Sequence, residues 1–327
     1  MELYLNTYGT YLHKKGDMFE VRVEDTSRRI SPQRISSIII SNAAQITTDA
    51  IQLALEYNID ILFLNQFGDP YGRIWFPKLG STTFIRRKLL EIYTKDEGLV
   101  FVKHWINKKI NNQIEFLKLL LSKRPEHKQI FSKNISQIEN QLKSLVSVEG
   151  LLKENSNRIL GIEGNISRIY FSTLSQLLPK IYQFKKRSSR PAKDAFNAFL
   201  NYGFGILYGK VERSLIIAGL DPYIGLLHSD NYNKKSLVFD FIEQYRILIE
   251  KPVFYLFSRR KVKNDLYDEI KNGVTLNEAG KKFFVPNLME SFDEIIRYRN
   301  KNIKTIDQIQ ADAHAFANYL IGKRKEY

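Results

Sequence analysis

The stretch that decides the fold runs from residue 59 to residue 93 and reads IDILFLNQFGDPYGRIWFPKLGSTTFIRRKLLEIY. Its opening run, Ile59–Leu64, is short and apolar and stops before a turn, which predicts a buried strand. From about Thr82 the apolar residues recur at i, i+3 and i+4, as in Phe84–Tyr93, which predicts an amphipathic helix. The change of period predicts that the chain passes from β to α structure at about residue 80.

The residues on either side repeat these two patterns. Upstream, Ile35–Ile40 is β-branched like a buried strand, Phe19–Val23 alternates at period two, and one helix is expected after Thr48. Downstream, helical spacing continues through Leu99–Leu121 and Lys128–Leu145. We therefore expect an α+β chain, with a small β-rich domain at residues 1–80 and a larger all-α domain at residues 81–327.

Prolines and capping residues predict several helix boundaries in the second part. One long helix is expected to end before Pro179, and another to begin at Pro191, a favoured first-turn position. Leu237–Glu250 is expected to be helical until Pro252 disturbs it. Thr275-Leu-Asn-Glu278 matches a capping box and predicts a further helix start.

The chain is strongly basic, with 50 Lys and Arg against 35 Asp and Glu and a net charge of +15. Residues 1–80 carry 8 basic and 9 acidic side chains, whereas residues 81–327 carry 42 and 26, a balance of +16. This excess excludes an acidic solvating tail and favours a polyanionic partner that binds mostly to the second part.

Cysteine is absent, which excludes a disulfide framework, a zinc-thiolate site and a cysteine nucleophile. The N-terminus has no basic segment followed by an apolar run, so we expect no signal peptide. No apolar stretch of about 18 residues occurs, so we expect no membrane span. A reducing compartment fits this composition, and we expect a cytoplasmic protein.

Gly161-Ile-Glu163-Gly164 interrupts an otherwise helical pattern. A glycine inside a helix costs about 1 kcal/mol relative to alanine, so two glycines around one acid suggest a close approach to the backbone. A packing contact with another helix is the more common reason, and an isolated glutamate is a weak functional signal. Both interpretations stay open for Glu163.

His228 and the acidic pair Asp240 and Glu243 are the next candidates. His228 ends an apolar segment, although a lone histidine is more often a structural residue. Asp240 and Glu243 are spaced i, i+3 and share one helical face. An acid between Phe239 and Phe241 is costly unless it is paired or binds a cation. An intrahelical pair with Arg246 is the common alternative.

The linker between two predicted helices carries five cations and no acid in nine residues, Lys185–Lys193. Such residues contact phosphates, and a helix N-terminus adds its dipole, although a solvated loop is the ordinary interpretation. The positive balance of the second part favours phosphate contact. The expected phosphate contacts are Lys185, Lys186, Arg187, Arg190 and Lys193, together with Arg168 and Arg246.

These segments follow one another in an order that is itself informative. They are Ile35–Ile40, Ile61–Gly68, Gly161–Gly164 with Arg168–Phe171, Arg190-Pro with Asp194, Asn197-Ala, Leu200–Gly203, Gly219–His228 and Leu237–Arg246. In this order they resemble the CRISPR-associated integrase, protein one of the spacer-acquisition pair, over nearly the whole chain. The histidine and acidic segments are the most specific. Ser167 before Arg168, and Glu243 where other members carry Asp, are conservative departures.

The resemblance implies a catalytic set of Glu163, His228, Asp240 and Glu243. In that family a divalent metal would be held by Glu163, His228 and Glu243, with Asp240 close by. Spacing alone does not decide between Asp240 and Glu243 as the direct ligand, and only the resemblance favours Glu243. Carboxylates with one imidazole suit Mg²⁺ or Mn²⁺, and the imidazole favours Mn²⁺.

The resemblance also implies a reaction and partners. A 3′ hydroxyl of a short DNA fragment would attack a phosphodiester of the CRISPR repeat, or water would attack and nick it. The expected partners are double-stranded DNA (spacer precursor and repeat), a second copy in a butterfly-like homodimer, and the small ferredoxin-like second acquisition protein. Two alternatives stay open: a non-catalytic DNA-binding protein whose acids form salt bridges, and a metal-dependent nuclease of DNA repair.

Overall fold

The computed structural model describes residues 1–75, 82–124, 128–189, 191–228 and 234–324. Contacts divide the chain into two compact units. The first unit comprises Met1–Lys78, Arg190–Gly209 and Lys263–Asn287. The second unit comprises Leu79–Ser189, Lys210–Val262 and Leu288–Tyr327. The predicted domain boundary at residue 80 stays a prediction, because the N-terminal residues share their unit with two later segments.

The first unit contains two four-stranded sheets. One has the order β1-β5-β7-β8, with β1, β5 and β7 parallel, and the other has the order β4-β3-β2-β6. Ile38 lies opposite Leu3 and Ile61 in the parallel register, and both isoleucines are fully buried. The strands are β1 (Glu2–Leu5), β2 (Thr10–Lys15), β3 (Met18–Val23), β4 (Thr26–Ile30), β5 (Ser37–Ile40), β6 (Ala44–Ile46), β7 (Asp60–Leu64) and β8 (Pro70–Ile74).

One helix, α1 (Thr48–Glu56), completes the N-terminal part of this unit. Its apolar face buries Ala50, Leu53 and Ala54 in the same core as the strands. The predicted β-rich region with one helix is therefore confirmed. Local sequence patterns explain this result. Alternating and β-branched runs bury their apolar side chains on the face of a sheet, and the one run with a 3.6-residue period forms the helix that covers the core of these sheets.

The helical part of the chain is built around a long helix, α3, which packs against α2, α4, α5, α7 and α8. Its buried Trp105 makes edge-to-face contacts with Phe241 and Phe316, and Phe101 also packs on Phe316. The helices are α2 (Thr82–Tyr93), α3 (Asp96–Ser122), α4 (Lys128–Val146), α5 (Leu152–Leu177), α6 (Ala195–Ile217), α7 (Ser236–Ile242), α8 (Ile247–Ser258), α9 (Glu278–Asp293) and α10 (Gln308–Leu320). None of the described helices is long and apolar enough to cross a membrane.

The expected fold class is confirmed, since a β-strand region precedes a predominantly helical one, but the second part is not all-α. It also contains two short hairpins, β9–β10 and β11–β12. Arg299 and Asn300 both have positive φ, as the two central residues of a tight hairpin turn require. The strands are β9 (Tyr267–Ile270), β10 (Gly273–Leu276), β11 (Ile295–Tyr298) and β12 (Lys301–Lys304).

The predicted helix over Leu237–Glu250 is wrong in its continuity. The chain forms α7, then a 3-10 turn at Glu243–Tyr245, then α8, and Pro252 lies inside α8. A proline inside a helix forfeits one backbone hydrogen bond. The burial of Val253, Phe254 and Phe257 in the next turn compensates for this loss.

Two helices also begin at residues other than those predicted. The helix expected from Pro191 begins at Ala195, because the backbone N–H of Asn197 donates to Asp194 at 2.8 Å and this carboxylate caps the helix. Thr275 does not cap α9, since it lies in β10. Asn277 has that role, and its side-chain oxygen accepts the N–H of Gly280 at 2.9 Å.

Candidate active site

Glu163 lies in the middle of α5 with an open backbone on both sides. A Cβ atom built on Gly161 or Gly164 would meet nothing of the described structure within 4 Å, and both glycines are exposed. The packing contact that is the common reason for helical glycines is therefore not observed. The hydroxyl of Ser167, one turn on, donates to Oε1 of Glu163 at 2.7 Å. The glycines leave room beside a fixed carboxylate.

Glu243 is buried at the start of the 3-10 turn. Its Oε1 accepts from Nε and Nη2 of Arg246 at 2.7 and 2.5 Å, so the predicted pair with Arg246 is present. Its Oε2 accepts from Nζ of Lys109 at 2.7 Å. Burial by itself would raise the pKa of Glu243, but Arg246 and Lys109 hold it well below its usual range. Glu243 is therefore ionised.

Lys109 of α3 joins Glu243 to Glu163. Its ammonium nitrogen contacts Oε1 of Glu163 as well as Oε2 of Glu243, although only 5% of the lysine side chain is exposed. Burial alone would lower the pKa of Lys109, but the two carboxylates raise it above its ordinary value. Two glutamates from distant helices thus share one monovalent cation.

Sequence reasoning missed Lys109, although the sequence carries a signal for it. Trp105, Ile106 and Gln113 lie one turn before and after it, and all three are buried, so a lysine occupies the core stripe of α3. A lysine in such a stripe is rarely fully buried unless an anion pairs with it.

His228 and Asp240 form a second pair in the same unit. Nδ1 of His228 lies 2.5 Å from Oδ1 of Asp240. The same carboxylate accepts three backbone N–H groups, from Leu226 and Leu227 at 2.6 and 3.0 Å and from His228 at 3.1 Å. Asp240 is 2% exposed, so its placement between two phenylalanines is compensated by these bonds. The pairing turns Nε2 of His228 away from the carboxylate.

Gly225 lets the histidine segment approach α7. A Cβ atom at this position would lie 2.4 Å from Cβ of Ser236 and 3.1 Å from Oδ2 of Asp240. Any side chain would therefore push the segment that ends in His228 away from Asp240. This glycine makes the backbone bonds to the carboxylate possible.

Asp312, which sequence reasoning also missed, supports the 3-10 turn from behind. This buried carboxylate accepts from the hydroxyl of Tyr245 at 2.8 Å and from Lys108 at 3.2 Å. Lys108 also donates to Gln244 at 3.2 Å. Arg299, in the turn of the last hairpin, reaches Asp312 at 2.8 Å. The bonds to Tyr245 and Gln244 hold in place the two residues that follow Glu243.

The predicted metal ligands are brought together in part. Glu163 and Glu243 meet at Lys109, whereas His228 meets Asp240. Within the described residues no three histidine, aspartate or glutamate side chains lie close enough to hold a metal as they stand. The ligand set therefore stays a prediction.

The donors nevertheless fit a divalent cation. Two carboxylates already face one cationic atom, the ammonium nitrogen of Lys109. Oxygen donors with one imidazole suit Mg²⁺ and Mn²⁺. An imidazole whose other nitrogen faces a carboxylate is the usual arrangement of a metal-binding histidine.

The predicted DNA contacts are spread over the described structure. Lys185, Lys186 and Arg168 are exposed in the second unit, and Nη2 of Arg168 donates to Asn165 at 2.6 Å. Arg187 lies over the ring of Phe171, 6.0 Å from its centroid. Lys193 belongs to the first unit and donates to the carbonyl of Asn272 at 2.7 Å. Arg190 lies outside the described residues, and Arg246 is engaged with Glu243.

Comparison with known proteins gives one consistent result. The model of a family described as CRISPR associated protein Cas1 matches residues 3–290. The CRISPR-associated endonuclease Cas1 1 of Archaeoglobus fulgidus is 30% identical over 338 residues, which cover 99% of this chain and 98% of that protein.

Two solved structures share the fold. A casposase bound to integration product has a TM-score of 0.87 at 23% identity, and the match covers 100% of this chain and 92% of the casposase chain. A chain of a Cas6-RT-Cas1–Cas2 complex has a TM-score of 0.82 at 20% identity, and the match covers 99% of this chain and 35% of that one. At these identities the likeness is one of fold.

Proposed function

Because the chain belongs to the family of CRISPR-associated Cas1 proteins, we propose that it is a metal-dependent DNA endonuclease and strand-transfer integrase that inserts spacer DNA into a CRISPR array. The observation that carries the proposal is the meeting of Glu163 and Glu243 on one cationic atom. The segment that contains Glu243 also contains Asp240, which orients His228. Membership of the family and these contacts both support an active site formed by Glu163, His228 and Glu243.

The proposed reaction is a phosphodiester exchange on DNA. The oxygen of a spacer 3′ hydroxyl forms a bond to a repeat phosphorus, and the bond from that phosphorus to the repeat 3′ oxygen breaks. The attacking hydroxyl loses a proton and the departing oxygen gains one, so no covalent enzyme intermediate is needed. When water attacks instead, the product is a nick. Bound Mg²⁺ or Mn²⁺ supplies polarisation of the phosphate and stabilisation of the attacking or leaving oxygen.

Three residues would hold the metal and a fourth would position one of them. Glu163 and Glu243 would provide carboxylate oxygens, and His228 would provide Nε2. Asp240 fixes the imidazole through Nδ1, and its three backbone bonds hold the carboxylate in place. Asp240 is therefore a positioning residue, which supports the assignment of Glu243 as the direct ligand.

The proposed substrates and partners follow from charge and from family. Residues 81–327 carry a balance of +16, and exposed cations such as Lys185 and Lys186 suit DNA phosphates. We propose a homodimer, formed through residues 1–80, and assembly with the small ferredoxin-like second acquisition protein. A solved Cas6-RT-Cas1–Cas2 complex includes a chain of the same fold, which supports such an assembly.

The decisive experiment incubates the protein with a labelled DNA fragment and a repeat-bearing plasmid, with and without Mn²⁺. We expect joining of the fragment 3′ end to the repeat only with metal. His228→Ala should lose most strand transfer while it keeps duplex binding. The matched control is His314→Ala, because His314 is exposed on α10. Full transfer by His228→Ala at low Mn²⁺ contradicts the proposed site.

A second candidate function has a specific observation in its favour. Glu243 pairs with Arg246 and with Lys109, as a non-catalytic DNA-binding protein with structural salt bridges would show. Metal-dependent turnover of branched DNA excludes that function. A repair nuclease would cleave DNA with metal but would not join a free 3′ end to the repeat.

A further inference from the structure

Lys109 occupies a position that the proposed metal also requires. Its ammonium contacts one oxygen of Glu163 and one oxygen of Glu243, the two proposed carboxylate ligands. A divalent ion held by Glu163 and Glu243 would need oxygens of the same two carboxylates. The ammonium and the metal ion would therefore compete for these carboxylates.

Besides the two glutamates, Lys109 has one further acidic neighbour, the buried Glu250, with which it interacts electrostatically but forms no ion pair among the described residues. Its side chain is 5% exposed, and among the contacts of the described residues its ammonium pairs only with the two glutamates. Arg246 is already committed to the other oxygen of Glu243. Without Lys109, the carboxylates of Glu163 and Glu243 would lose the cation that lies between them and would be held together less firmly.

We propose that Lys109 is an internal counter-ion, which holds Glu163 and Glu243 in the metal-free protein and gives up at least one of them when a divalent cation binds. The inference rests on the proposed function, since it takes these two glutamates as metal ligands. Lys109 is then a positioning residue that sets metal affinity. It stabilises the empty site and opposes the filled one by occupying the same oxygens.

Lys109→Met tests the proposal, because methionine keeps an unbranched chain of similar length and removes the charge. We expect calorimetry to show Mn²⁺ binding to the variant tighter by roughly tenfold, which corresponds to about 1.4 kcal/mol. We also expect a lower melting temperature without metal, and a deficit that shrinks at saturating Mn²⁺. Lys109→Gln, which keeps a hydrogen-bond donor, should show the same two effects and serves if the methionine variant does not fold.

The matched control is Lys118→Met on the same helix. Lys118 is 56% exposed and pairs with Glu139 on the surface, so neither Mn²⁺ affinity nor the metal-dependent melting shift should change. A merely structural role for Lys109 predicts the same melting deficit with and without Mn²⁺.

The outcomes separate this inference from the proposed function. If the unmodified protein binds Mn²⁺ and joins DNA, but Lys109→Met binds Mn²⁺ no tighter, the counter-ion role is wrong and the function stands. If the unmodified protein neither binds Mn²⁺ nor joins DNA, the proposed function fails and the displacement of Lys109 fails with it. Tighter Mn²⁺ binding together with a metal-rescued melting deficit supports the proposal.

Discussion

His228 and Asp240 are joined by a short bond of 2.5 Å between Nδ1 and Oδ1, and this one contact sets the orientation of the imidazole. The carboxylate has no freedom to follow the ring, because the backbone N–H groups of Leu226 and Leu227 hold its other oxygen. The position of the Asp240 carboxylate therefore determines the orientation of the His228 ring. Asp240 acts on chemistry at the site through His228, whereas Glu243 faces cations directly.

This division predicts different results for the two acids. Asp240→Asn should keep most Mn²⁺ affinity but lose about 10- to 100-fold in strand transfer, because an amide cannot accept all the N–H groups and also orient the imidazole. Glu243→Gln should lose Mn²⁺ affinity itself. Calorimetry with Mn²⁺ and strand-transfer rates for both variants check this. Asp293→Asn is the control, since that acid pairs with Lys304 on the surface.

The assignment is reversed if Asp240→Asn abolishes Mn²⁺ binding and Glu243→Gln does not. If neither substitution changes metal affinity or strand transfer, the acids of this segment are structural. Glu243 would then serve only to form the ion pair with Arg246.

Asp312 should be a stability residue that also supports the site. Asp312→Asn removes the charge that Lys108 and Arg299 share, and because both cations are partly exposed we expect a loss of about 1–3 kcal/mol in the free energy of unfolding, the cost of disrupted hydrogen bonds at a buried group. Urea denaturation measures this. Asp293→Asn, at an exposed pair, should cost only about 0–1 kcal/mol. Equal losses for both variants contradict a special role for Asp312.

Tyr202 should make the first unit sensitive to alkali. Burial raises the pKa of its phenol to about 12 from an ordinary value of 10.0. As the pH rises, Tyr202 therefore loses its proton in the unfolded chain before it does so in the folded protein. The stabilising contribution of Tyr202 is complete below pH 10 and is lost as the pH rises towards 12. The slope is about 1.4 kcal/mol per pH unit.

Chemical denaturation between pH 8 and about pH 12 measures the effect. Tyr202→Phe should lack this part of the alkaline slope, because phenylalanine releases no proton. Tyr8→Phe, at a side chain that is 72% exposed, should keep it. Identical pH slopes for the unmodified protein and Tyr202→Phe contradict the prediction.

Binding to duplex DNA should weaken steeply with salt. Neutralising Lys185, Lys186, Arg187 and Arg190 together should reduce affinity for all sequences alike, because phosphate contacts carry no sequence information. Each lost phosphate contact should reduce the slope of log affinity against log salt by about 0.9. Fluorescence anisotropy at several salt concentrations measures this. An affinity that does not change between low and moderate salt argues against phosphate contacts.

Local patterns were sufficient for most of the secondary structure. Period-two and β-branched runs such as Ile35–Ile40 need only a sheet face, and 3.6-period runs such as Phe84–Tyr93 need only one apolar partner. The candidate residues Glu163, His228, Asp240 and Glu243 could also be chosen from the sequence, because glycines, acids and a histidine interrupt these patterns. The hairpin at Ile295–Lys304 was missed, since its strands are only four residues long.

The roles of those residues depended on contacts between distant parts of the chain. Lys109 reaches Glu163 across 54 positions and Glu243 across 134. No spacing rule can place a lysine of α3 between two acids that lie so far along the chain. Sequence spacing left Asp240 and Glu243 equivalent on one helical face. The fold separates them, because one carboxylate meets backbone N–H groups and an imidazole, while the other meets the buried Lys109 and the partly exposed Arg246.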